Sequence, residues 1–342
     1  MSPITFTQQG IVLPPESRTT VEVFSGSLSQ SYIASCVPNG PGANCGVGRG
    51  VGGISVQIIS NTEPHVPIVA ERTFYVLGHD FGSGPINDAH AAFGVEEPTR
   101  NWYFAEGTTL DGFAEYLTLE NPYSADDTAD LHYFTETGQK SVKTVRVPKN
   151  SRVTVEVFKG DPTTAQPNCI ANGPGATCGV GPNVVGVSVF VQSTGDIVVE
   201  RPMYIVHDFG SGTVAGADDV VGANAPVITM GFVAVSTVAG TNAFLTIENP
   251  DQSRAATVQV AYYVTAGPAA TKTIIVPAGS RHTVEIFNPR EGIGPGYASV
   301  AVVLTSIGTP PTPILVEKPA YSALAASYGA TDTFGAVPPA SF

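Results

Sequence analysis

The chain has 342 residues, 42% of them hydrophobic and only 13% charged, and its 29 acidic and 16 basic side chains leave a formal net charge of −13. Charged residues usually make up about 25% of a domain, so Thr, Ser, Asn, Gln and Gly must carry this surface. The acidity keeps it soluble and argues against nucleic acid, whose phosphates need clustered Lys and Arg.

No apolar run approaches the ~20 residues of a membrane helix, so no membrane insertion is expected. Met1-Ser2-Pro3-Ile4-Thr5 lacks the basic and apolar regions of a signal peptide. An exported protein would have lost its signal or carry it upstream.

In chain order, the first recognisable element is Leu13-Pro14-Pro15-Glu16-Ser17-Arg18-Thr19-Thr20-Val21-Glu22-Val23-Phe24. It alternates apolar and polar residues as a half-buried strand does. Cys36 and Cys45 follow, eight residues apart around Asn39-Gly40-Pro41-Gly42-Ala43. This geometry favours a local disulfide over free thiols or a zinc site, which wants closer Cys pairs or added His. A bridge closing such a loop contributes roughly 2.5–3 kcal/mol in the chain-entropy model and implies an oxidising compartment. Next come the strand Ile68-Val69-Ala70-Glu71-Arg72-Thr73-Phe74-Tyr75 and the segment His79-Asp80-Phe81-Gly82-Ser83-Gly84. The latter reads as a strand-exit turn, with Asp bonded to backbone and Gly at positive φ, ahead of a metal or catalytic dyad. Glu96-Glu97-Pro98-Thr99 reads as a linker.

The elements then recur. Val147 to Phe158 repeats the first strand at an offset of 134 residues, and Val276 to Phe287 repeats it after a further 129. Cys169 and Cys178 repeat the cysteine loop, whereas the third copy has Arg290-Glu291-Gly292-Ile293-Gly294-Pro295-Gly296 in its place. Ile197 to Tyr204 and Ile314 to Tyr321 repeat the Glu-Arg strand. His207 to Gly212 repeats the turn, which the third copy replaces with Ala325-Ala326-Ser327-Tyr328-Gly329.

A two-strand front piece, Asn101 to Phe113 with Tyr116 to Pro122, has a second copy ending in Phe244-Leu245-Thr246-Ile247-Glu248-Asn249-Pro250 and none near the N-terminus. Helical periodicity is missing throughout. Short strands at 8–15-residue spacing predict an all-β chain of three tandem immunoglobulin-like β-sandwich modules. These are residues 1–99, incomplete at the N-terminal end; 100–226; and 227–342, without the cysteine loop. Asn224-Ala225-Pro226 forms the second linker.

The candidate chemistry is thin. Glu106, Asp111 and Glu115 could be paired carboxylates, but their counterparts are Ala234, Ala239 and Ala243, and a solvated face is expected instead. Asp126-Asp127 and Asp218-Asp219 read as turn residues and supply too few clustered oxygens for calcium. No metal, cofactor or catalytic set is expected. The residues recurring in every copy are Arg18 with Glu71, Arg152 with Glu200, and Arg281 with Glu317. They predict a cross-strand or intermodule Arg–Glu pair belonging to the module itself.

Asn101-Trp102-Tyr103-Phe104-Ala105-Glu106-Gly107, with Val147-Pro148-Lys149-Asn150-Ser151-Arg152 and Val199-Glu200-Arg201-Pro202-Met203-Tyr204, resembles the Trp-Tyr-Phe-Ala-Glu-Gly tandem repeats of large exported bacterial surface proteins. The resemblance implies a secreted or cell-surface β module and no enzyme. The third copy departs from it at the Trp-Tyr-Phe block. The expected function is an extracellular structural protein: a fibre or filament subunit, or an adhesin stalk. Head-to-tail self-association through the terminal modules is the expected partnership; no spare front piece exists for simple strand donation, although the tail from Thr331 to Phe342 could act as a short surrogate strand. Binding to a surface polysaccharide is the alternative.

Overall fold

The computed structural model describes residues 11–24, 45–48, 53–160, 178–210, 212–324 and 327–337. Every regular element among them is a β-strand, and every ladder is antiparallel. In module 2 these are β3 (Thr99–Phe104), β4 (Phe113–Asn121), β5 (Asp127–Thr135), β6 (Gly138–Val147), β7 (Ser151–Glu156), β8 (Ser188–Asp208) and β9 (Thr213–Val221). The first half of β8 lies between β3 and β5, and its second half lies between β4 and β9. One strand therefore serves both layers. Alternation along it sends Val189, Val191, Ile197 and Val199 inward onto Trp102, Leu117, Leu119, Leu131 and Tyr133, all buried.

Module 3 repeats this plan with β10 (Thr229–Val235), β11 (Thr241–Asn249), β12 (Ala256–Val264), β13 (Gly267–Val276), β14 (Ser280–Glu285), β15 (Val300–Ile307), β16 (Leu315–Glu317), β17 (Ala320–Leu324) and β18 (Ser327–Thr331). The path of β8 is here divided into β15, β16 and β17, with Ser306 to Ile314 four residues longer than Ser193 to Ile197. A second core gathers Leu245, Val260, Tyr262, Val302 and Leu304.

The front piece is larger than the recurring sequence blocks indicate. Four strands, β3 to β6, precede Val147; the β5–β6 hairpin carries no motif that recurs in the first copy. The tail is also used differently from expectation: Phe334 bridges to Glu317 and Ala336 to Gly231, within module 3.

In module 1 the described regular structure is one hairpin, β1 (Glu71–Asp80) with β2 (Pro85–Phe93). It corresponds to the second half of β8 with β9, and to β17 with β18. Each of these hairpins is an arm that reaches beyond its sandwich. The strand expected at Leu13 to Phe24 has no ladder, and Leu13 is 46% exposed.

Candidate functional site: the joints between modules

The arms pack one on the next. Opposite faces of a strand can serve two neighbours because side chains alternate. In β8, Tyr204 and Val206 face arm 1, where they join Phe74, Val76, Phe81 and Ile86. Met203 and Ile205 face arm 3, where they meet Tyr321 and Ala330.

The two joints use the same chemistry. The first component is the turn at the tip of each arm. Asp80 Oδ1 accepts from the Gly82 and Gly84 amides (2.7 and 3.0 Å), and Asp208 Oδ1 accepts from Gly210 and Gly212 (2.8 and 3.3 Å). These amide bonds hold the Asp80 carboxyl below its usual range. All four glycines have positive φ, the conformation that keeps the turn tight. The turn aims one ring at the next module. Phe81 stacks on Tyr204 at 3.9 Å and 8°, and Phe209 stacks on Tyr321 at 4.4 Å and 19°. Tyr116 also donates its hydroxyl to the Phe81 carbonyl.

The second component is an arginine clasp. Arg72 reaches Glu200 (3.0 Å) and Asp219 of module 2. Arg201 reaches Glu317 (2.9 Å) and Asp332 (2.5 Å) of module 3. The third is a close approach: a Cβ on Gly53 would collide with the Arg152 guanidinium, and one on Gly186 with that of Arg281.

The joints differ in burial. The Arg72 side chain is 43% exposed, whereas Arg201, Glu317 and Asp332 are at most 1% exposed. Burial opposes the charge on Arg201, but Glu317 and Asp332 hold its pKa well above the ordinary value. Arg281 Nη2 pairs with Glu106 (3.3 Å), which also accepts from Tyr321 Oη (3.3 Å). Carboxylates here outnumber guanidiniums. Burial pushes Glu115 and Glu248 each up to about 8, against the pull of the arginines. Burial likewise raises Glu106 and, further, Asp218. Neither carboxylate oxygen of Glu248 has a hydrogen-bond partner.

The recurring residues therefore fall into an entrance set and an exit set. Arg152 with Glu200, and Arg281 with Glu317, receive the preceding module. The partner of each Glu is the Arg adjoining the Glu of the module before it. Arg18 and Glu71 are the same entrance set in module 1, and both are exposed. Exit residues are Arg72, Gly53 and Phe81, then Arg201, Gly186 and Phe209. Sequence reasoning missed this second set. In module 3 the exit positions hold Lys318 and Ser299, and the turn is replaced; Lys318 Nζ donates to Ala234 O of its own module.

Two expectations are corrected. Glu106 and Glu115 are not on a solvated face: they are 6% and 0% exposed, Glu106 paired with Arg281 and Glu115 Oε2 accepting from the Thr108 amide while its Oε1 has no partner. Asp111 is exposed. Asp218 and Asp219 lie within β9 rather than in a turn; Asp219 is the second acid of the Arg72 clasp, and Asp218 is buried. No His, Cys, Asp and Glu grouping among the described residues could hold a metal ion. Cys45 and Cys178 are buried beside bridges to Glu22 and Glu156, and neither is a free thiol. Cys36 and Cys169 lie outside the described residues.

The profile of a family of unknown function (DUF5719) matches residues 216–310. No curated protein matches the chain. The crystal structure of Thermotoga maritima 1070 is similar over 37% of this chain and 94% of its own, with 13% identity and a TM-score of 0.28.

Proposed function

We propose that this chain is a non-enzymatic structural segment of an extracellular surface fibre or stalk, in which the joints make tandem β modules into one stiff rod. The observation that carries the reading is the repeated joint. An intramolecular contact between independent domains ordinarily leaves them free to move, whereas here each junction fixes an aromatic stack, a two-acid arginine clasp and a glycine-floored guanidinium. The disulfides expected from the sequence, Cys36 with Cys45 and Cys169 with Cys178, would suit an oxidising exterior, and the low-charge surface supports the same reading.

The polysaccharide reading has less support. Trp102 is buried, its Nε1 donating to Ile197 O at 2.9 Å. The aromatic row Tyr103, Phe190 and His132 stacks ring on ring across the sheet at 4.4 and 5.4 Å, so both faces of Phe190 and the inner faces of the other two rings are occupied. Sugar stacking needs those faces open. Head-to-tail self-association would have to use other chemistry than the joints, because the exit positions of module 3 are replaced.

Negative-stain electron microscopy tests this. The expected images are single rods with one narrow distribution of intermodule angle, broadened in the Arg201→Ala/Phe209→Ala double variant. A broad distribution in the unaltered chain would sink the stiff-stalk reading. Intact mass under non-reducing conditions, with and without thiol alkylation, should show no free thiol.

A further inference from the structure

We propose that the joint between modules 2 and 3 is a proton-operated latch: it locks the two modules together while its surplus buried carboxyls carry protons, and it releases them in mildly alkaline solution. The charges in this joint do not balance. Six carboxyls, Glu106, Glu115, Asp218, Glu248, Glu317 and Asp332, meet two guanidiniums, Arg201 and Arg281, and all eight residues are at most 8% exposed. A protein interior does not sustain so many unpaired negative charges; such groups neutralise instead. No grouping among the described residues could hold a metal ion in their place, so protons are the compensating charge.

The individual atoms agree. Arg201 takes Glu317 and Asp332, and Arg281 takes Glu106. Glu248 lies opposite Arg281 in the β11–β14 register, yet among the described residues neither of its oxygens has a hydrogen-bond partner, and Glu115 Oε1 and Asp218 Oδ2 have none. Glu248 is within electrostatic reach of Arg281 and of Tyr103 on β3, across the joint. Glu115 on β4 is in reach of Arg201, Glu106, Arg281 and Tyr133. Asp218 on β9 is in reach of Asp332, Arg201 and Asp219, and Glu317 on β16 of Arg201, Asp332 and Glu106. Burial is the largest influence on these four carboxyls and raises each, against the pull of the arginines.

A carboxyl that is raised in the closed joint and ordinary in an opened one takes up a proton on closing. Between the ordinary carboxylate value and about 8, where Glu115 and Glu248 lie, each such group lowers the closed-to-open ratio by up to about ten-fold per pH unit. Release parts no strands, because among the described residues no ladder joins module 2 to module 3. The first joint lacks the surplus. There Glu120, Glu200 and Asp219 meet Arg72 and Arg152, Arg72 is 43% exposed, and His90 Nε2 lies 3.9 Å from Asp219. Burial raises Glu120 and Glu200 too, but solvent and a third basic side chain reach them, so the response there is weaker. The inference deepens the stiff-rod reading and rests on it at one point, that the protonated joint is closed.

Met203 supplies the test. It is 1% exposed and packs against Tyr321 and Ala330 of arm 3, whereas Met230 is 3% exposed inside the module 3 core. The full chain is oxidised with hydrogen peroxide from pH 6 to 9, and both residues are read by peptide mass spectrometry and normalised to free methionine. Oxidation of Met203 should quicken by about ten-fold or more over this range while Met230 stays slow. In Glu248→Gln, and independently in Glu115→Gln, the rise should shrink to about a third or less; Glu120→Gln at the first joint should leave it intact. A Met203 rate that is slow at every pH would overturn the latch and leave the stiff rod standing. Rates that climb together at Met203 and Met230 would also overturn it, since module 3 would then be unfolding rather than undocking, and so would a rise unchanged in both glutamine variants. Met203 as reactive as free methionine already at pH 6 would remove the stiff rod and the latch together.

Discussion

Arg201 and Arg72 hold equivalent places and should behave differently when lost. Removing one partner from a fully buried ion pair leaves the others uncompensated, at a cost of about 3–5 kcal/mol. Arg201→Met strands Glu317 and Asp332 where neither can reach water. Arg72 is more than a third exposed, and solvent screens its pairs to ~1 kcal/mol or less. Urea unfolding of the two single variants should therefore separate by at least about 2 kcal/mol, with Arg201→Met the weaker.

The buried acids of the same joint set a pH dependence. Glu115 and Glu248 are each raised to about 8 by burial. Between the ordinary carboxylate pKa and 8 the folded chain holds protons that the unfolded chain has lost, so stability falls as pH rises through that window. It is fully present below about 4.5 and levels off above about 8. Glu115→Gln keeps the neutral form at every pH. Denaturation midpoints at pH 5, 6.5 and 8 should decline in the unaltered chain and decline less in the variant. A rising midpoint would contradict the assignment.

At the level of elements, the arms carry the joint, and their tips are the place to measure it. A double-mutant cycle of Phe209→Leu with Tyr321→Leu should return a coupling of about 0.5–1.5 kcal/mol, the range for stacked rings. The cycle of Phe209→Leu with Tyr204→Leu should return almost none, because Tyr204 stacks on Phe81.

The strands themselves were legible, because Val153-Thr154-Val155 or Val258-Gln259-Val260 imposes a period of two on any sheet. The arm was not. His207-Asp208-Phe209-Gly210 is a local turn by every local rule, and packing between modules has no period to read. A signal did exist in the counting. The exit set recurs twice, once at each of the two joints, and the entrance set three times, its first copy, Arg18 with Glu71, lying at neither joint. Arg201 and the Asp-Phe-Gly turn recur twice and change together at Lys318 and Ala325. Arg281 and Glu317 belong to the set of three. The buried state of Glu106 was hidden for a related reason: the arginines that contact it lie 95 and 175 positions away.

Across the whole molecule, stability is graded from one end to the other. Modules 2 and 3 each close a core of valine, leucine and isoleucine at near-zero exposure. In module 1, residues 53–69 have neither a core nor a ladder, and its arm is held from one side only, with Tyr75 77% and Leu77 88% exposed on the other. Their counterparts Tyr204 and Val206 lie under arm 1. Opening free energies within one chain span from near zero to the global value according to such contacts. Thermolysin, which cuts before branched apolar residues, should therefore cleave first between Ile54 and Val69. The remaining fragment should resist, because Phe74, Val76 and Ile86 still anchor β1 and β2 on module 2. Time-resolved mass analysis reads the order of cuts directly. A first cut within β10 to β15 would mean that the closed module is the weaker one, and the gradient would have to be reversed.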